Sequence, residues 1–151
     1  YKGFDLNITG AGAFGQQIAK SYRSFADSPL QNYTTDIFGR WTGEGTSNKL
    51  PRLTSGSHTN WQNISDIYIE DGDYLKIQNL TIGYDFKKLF PTMPLGQARL
   101  YLTAQNLFTF TGYSGMDPEI GYGYDKSWVS GIDLGYYPSP RTYMVGVNLK
   151  F

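Results

Sequence analysis

The sequence predicts an all-β chain of the transmembrane kind, a set of antiparallel barrel strands. Three observations carry that prediction. The terminal stretch RTYMVGVNLKF puts Tyr143, Val145, Val147, Leu149 and Phe151 on one face of an extended strand, and Thr142, Met144, Gly146, Asn148 and Lys150 on the other. This is the period-two signature of a sheet with one apolar and one polar side. Aromatic residues make up 17% of the chain, about twice the usual share. The connections run long, short and long, the asymmetry of outer-membrane barrels, whose short turns are periplasmic and whose long loops are extracellular.

The first strand is expected over about residues 2–15, because Phe4, Leu6 and Ile8 alternate with Asp5, Asn7 and Thr9 and the pattern continues to Phe14. Gly10, Gly12 and Gly15 spell GxGxxG inside it, and residues 16–25 can be drawn as an amphipathic helix with Asp36 downstream. A dinucleotide site needs a buried parallel strand before the glycines, and such strands read as continuous apolar runs rather than alternations. FDLNIT alternates, so the enzyme reading fails there.

About residues 16–72 form a long polar connection with Trp41 and Trp61 set singly in it and a short helix near residues 35–40. A connection of that length is usually functional. His58 is the only histidine, which gives neither a metal site nor a catalytic triad its partners. Asp66, Glu70, Asp71 and Asp73 lack the spacing of a calcium loop and read as a solvated turn. No metal site, no catalytic residue and no cofactor is expected.

A second strand covers about residues 73–86. Leu80, Ile82, Tyr84 and Phe86 share a face while Leu75 and Ile77 are out of phase with it. Either a bulge intervenes near Gln78, or the first part of the strand stands above the membrane. Pro91 and Pro94 interrupt pairing in a short turn at about residues 87–97. The third strand covers about residues 98–110, a second long loop about 111–140, and the fourth strand about 141–151.

With Phe151 at the periplasmic rim, the short turn is periplasmic too and both long loops are extracellular. Phe86, Phe90 and Phe151 then fall near one interface, and Tyr74, Phe108, Phe110, Tyr113 and Tyr143 near the other, as aromatic girdles do. Tyr143, Val145, Val147 and Leu149 are the expected lipid-facing residues of the last strand. The chain opens inside a strand and reads as a fragment. Formal charge is zero, which gives no basic stripe for nucleic acid. Cysteine is absent, which excludes disulfides and thiolate metal sites. Mean hydropathy is negative, and no apolar run reaches the about 18 residues of a membrane helix. Four strands cannot close on themselves, so partner strands come from a longer polypeptide.

Several stretches, in order, resemble one family. They are Arg40-Trp41-Thr42 followed by Leu50-Pro51-Arg52-Leu53, the block from Ser65 to Tyr84 (SDIYIEDGDYLKIQNLTIGY), Ala104 to Thr109 (AQNLFT), Gly112 to Glu119 (GYSGMDPE), and Tyr137 to Tyr143 (YPSPRTY). Together they are similar to the SusC/RagA-type TonB-dependent outer-membrane transporters of Bacteroidota. The resemblance implies a plugged barrel of about 22 strands, of which this chain is the last four. It also implies import of oligosaccharides or peptides, driven through TonB by an N-terminal box and plug that this sequence does not include. A SusD-like lipoprotein lid is implied over the extracellular mouth, as is a dimer of transporter–lid pairs in the outer membrane. Gly146, Leu149 and Phe151 resemble the signal read by the barrel-assembly machinery, although Met144 stands where a polar residue is usual.

Trp41, Trp61, Tyr122, Tyr124 and Trp128 are the candidate substrate-contacting residues, since exposed aromatics amid polar loops offer apolar platforms. The same rings also serve in loop packing or against the lid, the commoner use of loop aromatics. The competing function is a soluble carbohydrate-binding β domain; a nicotinamide-type enzyme comes third.

Overall fold

The computed structural model describes residues 2–26, 33–54, 63, 65–120 and 131–151. In chain order the regular elements are β1 (Phe4–Ala13), β2 (Gln17–Ala19), α1 (Ser21–Ala26), β3 (Ile69–Asp71), β4 (Tyr74–Asp85), β5 (Gln97–Thr111) and β6 (Thr142–Lys150), with short 3-10 turns at Thr35–Gly39, Asp66–Tyr68 and Phe86–Lys88. Among the described residues no helix is long and apolar enough to cross a membrane, which says nothing of strands. The chain divides into two units. One holds Tyr1–Phe14, Tyr74–Thr111 and Pro138–Phe151, and the other Gly15–Asp73 and Gly112–Tyr137.

The first unit is a four-stranded antiparallel sheet in the order β1-β4-β5-β6. Its register collects the apolar residues into rows across all four strands. Phe4, Tyr84, Leu100 and Val147 form one row, Leu6, Ile82, Leu102 and Val145 the next, and Ile8, Leu80, Ala104 and Tyr143 a third. The opposite face alternates with it, as strand geometry demands: Asn7, Thr81, Thr103 and Met144 share a row there, with Thr81 and Thr103 hydroxyls bonded at 2.9 Å.

The out-of-phase residues of β4 are resolved by a bulge. Thr9 pairs with Asn79 but Gly10 pairs with Ile77, so Gln78 is the extra residue. A single inserted residue flips the side-chain phase, and Leu75 and Ile77 therefore join the face of Leu80 and Ile82. They lie opposite Phe110 and Phe108 on β5. The β5 strand accommodates the bulge at Asn106, whose φ of 52° is left-handed, a conformation Asn tolerates better than most residues. Its side-chain amide donates to the Pro140 carbonyl at 3.1 Å, holding the approach to β6.

Two aromatics leave the expected girdle. Tyr74 pairs with Ala13 and Thr111, which puts it on the polar face. Tyr113 is buried in the second unit. Sequence phase placed both near the interface because neither the bulge nor a distant partner is visible in a local pattern.

The polar face of the sheet carries a cross-strand tie. Arg99 on β5 reaches over Gly83 of β4 to Asp5 on β1, its Nε donating to Oδ1 at 2.8 Å. A Cβ on Gly83 would run into that guanidinium, so the glycine is the gap through which it passes. The Arg99 guanidinium also lies 5.0 Å from the Tyr101 ring centre, and the Tyr101 ring in turn rests on Gly146 of β6.

Candidate functional site

The second unit is built from the two long connections, which leave the sheet at the same end because Ala13, Tyr74 and Thr111 are in register there. The long polar connection expected over about 16–72, with its short helix near 35–40, also contains a strand pair: β2 pairs antiparallel with β3, Ile18 opposite Glu70. Gly15 turns the chain out of β1 with φ 74°, a region that costs glycine little, and Asp73 accepts from the Gly15 and Gln16 amides at 2.6 and 3.2 Å. The GxGxxG glycines thus lie on and just after an antiparallel strand, and no helix starts at Gln16.

At the centre of this unit is a polar cluster. Lys20 is 5% exposed, and its ammonium donates to Glu70 Oε1 at 2.8 Å and Ser114 Oγ at 2.5 Å. Glu70 also accepts from the Ser114 amide at 3.0 Å. Burial alone would push the Glu70 carboxyl up, but the bonds from Lys20 and Ser114 outweigh it and hold the group below the ordinary carboxylate range. Beside it Asp133, 1% exposed, accepts from the Tyr113 hydroxyl at 2.7 Å and from the amides of Gly135 and Tyr136 at 2.7 and 3.3 Å. Burial, with the Asp133 bond added, raises the Tyr113 hydroxyl well above its usual range. Ser114, through Lys20 and Glu70, ties the second connection to the first across 94 positions of sequence, as does the Asp133 amide, which donates to the Ala19 carbonyl at 2.9 Å.

Two adjoining clefts open in this unit. One of about 980 Å³ is lined by Lys20, Arg23, Asp36, Lys49, Asp66 and Glu70 together with Ile67, Tyr68 and Ile69. Arg23 is bonded to Asp36 at 2.9 Å; that contact leads a set of bonds holding the Asp36 carboxyl below its usual range. The second cleft, about 680 Å³, is lined by Trp41, Arg52, Asn48, Asn63, Ser65 and Pro51 among others. Ser47–Leu50 and Ile67 wall both.

Of the five candidate aromatics, Trp41 is the one among the described residues, and it is partly exposed on the second cleft. Its amide donates to the Leu50 carbonyl at 3.0 Å, and the intervening turn is knotted by Thr46, whose hydroxyl accepts from the Thr42 and Gly43 amides at 2.9 and 3.1 Å. Trp61, Tyr122, Tyr124 and Trp128 lie outside the described residues, as does His58. Among the described residues no group of acidic or histidine side chains is arranged to hold a metal. The cluster of buried Lys20, Tyr113 and Asp133 with Glu70 and Ser114 escaped the sequence reading. Glu70 stood out only as part of an acidic run; its partners are Lys20, 50 positions earlier, and Ser114 in the other connection.

No family model matches the chain. Over its full length it is 35% identical to TonB-dependent receptor P3 of Formosa agariphila and 28% identical to TonB-dependent receptor SusC of Bacteroides thetaiotaomicron. The chain spans 15% and 14% of those proteins. Among solved structures, the RagAB peptide transporter matches 99% of the chain at TM-score 0.73 and 25% identity, and the chain covers 16% of it. The RagAB peptide importer in its closed-closed state matches all of the chain at the same TM-score and 26% identity.

Over its whole length the chain is homologous to the SusC/RagA-type TonB-dependent transporters. Its four-stranded antiparallel sheet matches strands of that family's barrel, and its relatives are TonB-dependent receptors and a peptide transporter.

Proposed function

We propose that this SusC/RagA-type chain supplies the last strands of an outer-membrane transporter that imports oligosaccharides or peptides, with energy delivered through TonB and a SusD-like lipoprotein as lid. The observation that carries the reading is the continuous apolar face of the sheet. Its large side chains, Phe4, Leu6, Ile8, Leu75, Ile82, Leu100, Leu102, Phe108, Phe110, Tyr143, Val145, Val147 and Leu149, are exposed by 42% at Leu100 up to 74% at Val145. Monomeric soluble proteins rarely leave a contiguous apolar face of such size in water, which disfavours the soluble carbohydrate-binding reading. In lipid it is the expected outer surface, and the polar face then lines the lumen.

The test is one of side. Val145→Arg places a cation on the lipid face at a cost of about 2–4 kcal/mol near the midplane, and is expected to cut the amount of full-length transporter in the outer membrane at least about tenfold. Met144→Arg, one residue away on the lumen face, is expected to leave that amount near wild type. Equal loss from both would show that the two faces are not lipid and lumen.

In this reading the 87–97 turn is periplasmic and the second unit is extracellular. Trp41 is then a platform for the apolar side of a passing substrate. Trp41→Ala is expected to weaken substrate binding by the intact transporter about tenfold, in line with about 1–1.5 kcal/mol for a partly exposed ring. Affinity that stays at the wild-type value assigns the ring to loop packing instead. Phe151, 94% exposed at the end of β6, is assigned to recognition by the assembly machinery with Gly146 and Leu149. Deleting Phe151 is expected to lower surface abundance several-fold, and an unchanged abundance removes that role.

A further inference from the structure

The second cleft, about 680 Å³, combines a bonded backbone with polar side chains that have no protein partner. The Trp41 amide donates to the Leu50 carbonyl at 3.0 Å, next to a bridge between Arg40 and Leu50, and the Ser47 hydroxyl accepts from the Lys49 and Leu50 amides at 3.2 and 3.3 Å. The chain path along the cleft is thus fixed from within. Trp41, Asn48, Lys49 and Asn63 line the cleft and are exposed, and their side chains make no hydrogen bond or ion pair to the protein. A lone solvated lysine or amide is ordinary on a surface; four such side chains, one of them an indole, share this concavity.

Their hydrogen-bonding capacity is one-sided. The Trp41 indole N–H and the Lys49 ammonium only donate, while the Asn48 and Asn63 amides do both. Arg52, engaged in a contact of its own, adds a second basic group, and no carboxylate is among the described residues lining the cleft. The adjoining cleft differs, with Asp36, Asp66 and Glu70 in its walls. A ligand that fits the second cleft must therefore bring acceptors and negative charge, and beside them an apolar face for the indole. A neutral sugar brings hydroxyl donors that find few acceptors here. A peptide brings a donor at every backbone amide. A sugar acid meets both demands, since the C–H face of its ring rests on the indole while its carboxylate accepts from an ammonium in a charge-assisted bond.

We infer that this cleft is a subsite for acidic oligosaccharides, with a uronic acid ring on Trp41 and its carboxylate toward Lys49. The inference rests on the reading of the chain as part of an importer with Trp41 as a platform, and adds to it the class of substrate.

The experiment uses the intact transporter, titrated calorimetrically with oligogalacturonate and oligomannuronate, each as the free acid and as its neutral methyl ester, and with a polyglutamate peptide. At least one acid is expected to bind, at least about fivefold more tightly than its ester, and to lose that margin at high salt. Lys49→Gln is expected to bring the acid to within about twofold of the ester, with ester binding unchanged. Because the Lys49 side chain is bonded to nothing in the protein, this variant is expected to fold as wild type. Trp41→Ala is expected to weaken acid and ester alike and keep their ratio. Equal affinity for acid and ester, a margin that survives Lys49→Gln, a peptide bound as tightly as the better acid, or no binding of either acid overturns the inference. TonB-dependent uptake of neutral oligosaccharides or peptides in any of those cases leaves the import reading standing. A transporter that takes up no oligosaccharide and no peptide overturns both.

Discussion

Replacing Asp133 by alanine is expected to open the second unit while leaving the sheet untouched. The carboxylate is buried and receives the Tyr113 hydroxyl and the Gly135 and Tyr136 amides. Alanine strands all three donors. An unsatisfied buried donor costs about 1–3 kcal/mol, but Gly135 and Tyr136 are exposed enough for water to replace their bond, so the Tyr113 hydroxyl dominates and about 3 kcal/mol is a fair total. Hydrogen exchange on the intact transporter should then show protection of residues 112–120 and 131–137 reduced about a hundredfold, with β4 and β5 unchanged. Asp133→Asn keeps the Oδ1 acceptor for the two amides and puts an NH2 where Oδ2 was, from which the Tyr113 hydroxyl oxygen can accept, so it should lose distinctly less. If protection in these segments is the same in wild type and Asp133→Ala, the Asp133 carboxylate does not hold the second connection in place.

The second large effect is expected at Gly146. A Cβ at this position would fall inside the Tyr101 ring, the contact being with Cζ and the hydroxyl of that side chain. Valine at position 146 must therefore displace Tyr101, which also stacks with Arg99 of the cross-strand tie. Overpacking of this kind costs about 1–3 kcal/mol, enough to reduce the heat-modifiable, folded fraction of the transporter several-fold. Tyr101→Ala empties the space, so Gly146→Val made in that background should recover most of the loss, a non-additivity expected of residues in direct contact. A folded fraction that stays low in the double variant would move the role of Gly146 from packing to recognition by the assembly machinery. Wild-type folding of Gly146→Val alone would remove both.

Much of the sheet was legible because it is local. Alternation of Phe4, Leu6 and Ile8, or of Tyr143 to Leu149, follows from strand geometry alone, and the prolines of the 87–97 turn mark where pairing stops. The phase of Leu75 and Ile77 was not legible. Their pattern fits a bulge or a change of environment equally, and only the pairing of Gly10 with Ile77 and Thr9 with Asn79 decides for Gln78 as the inserted residue. Tyr74 and Tyr113 were misplaced for related reasons, the first by the bulge and the second by a partner 20 positions away. Trp41 could be picked out as an aromatic in a polar stretch, but its position on a cleft with Arg52 and Asn63 depends on how the turn at Thr46 folds back.

The sequence by itself determined that this is a two-faced antiparallel sheet with long connections at one end, and its motifs placed it among the SusC/RagA-type transporters. Strand phase is written in every second residue, and family motifs in short contiguous blocks. Only the tertiary structure decided that Gln78 is a bulge, that Gly83 and Gly146 make room for Arg99 and Tyr101, and that Lys20, Glu70, Ser114, Tyr113 and Asp133 close the two connections into one body. Those features depend on contacts between residues far apart in the chain, whose identity is fixed by register and burial and leaves no periodic trace in the sequence around any one of them.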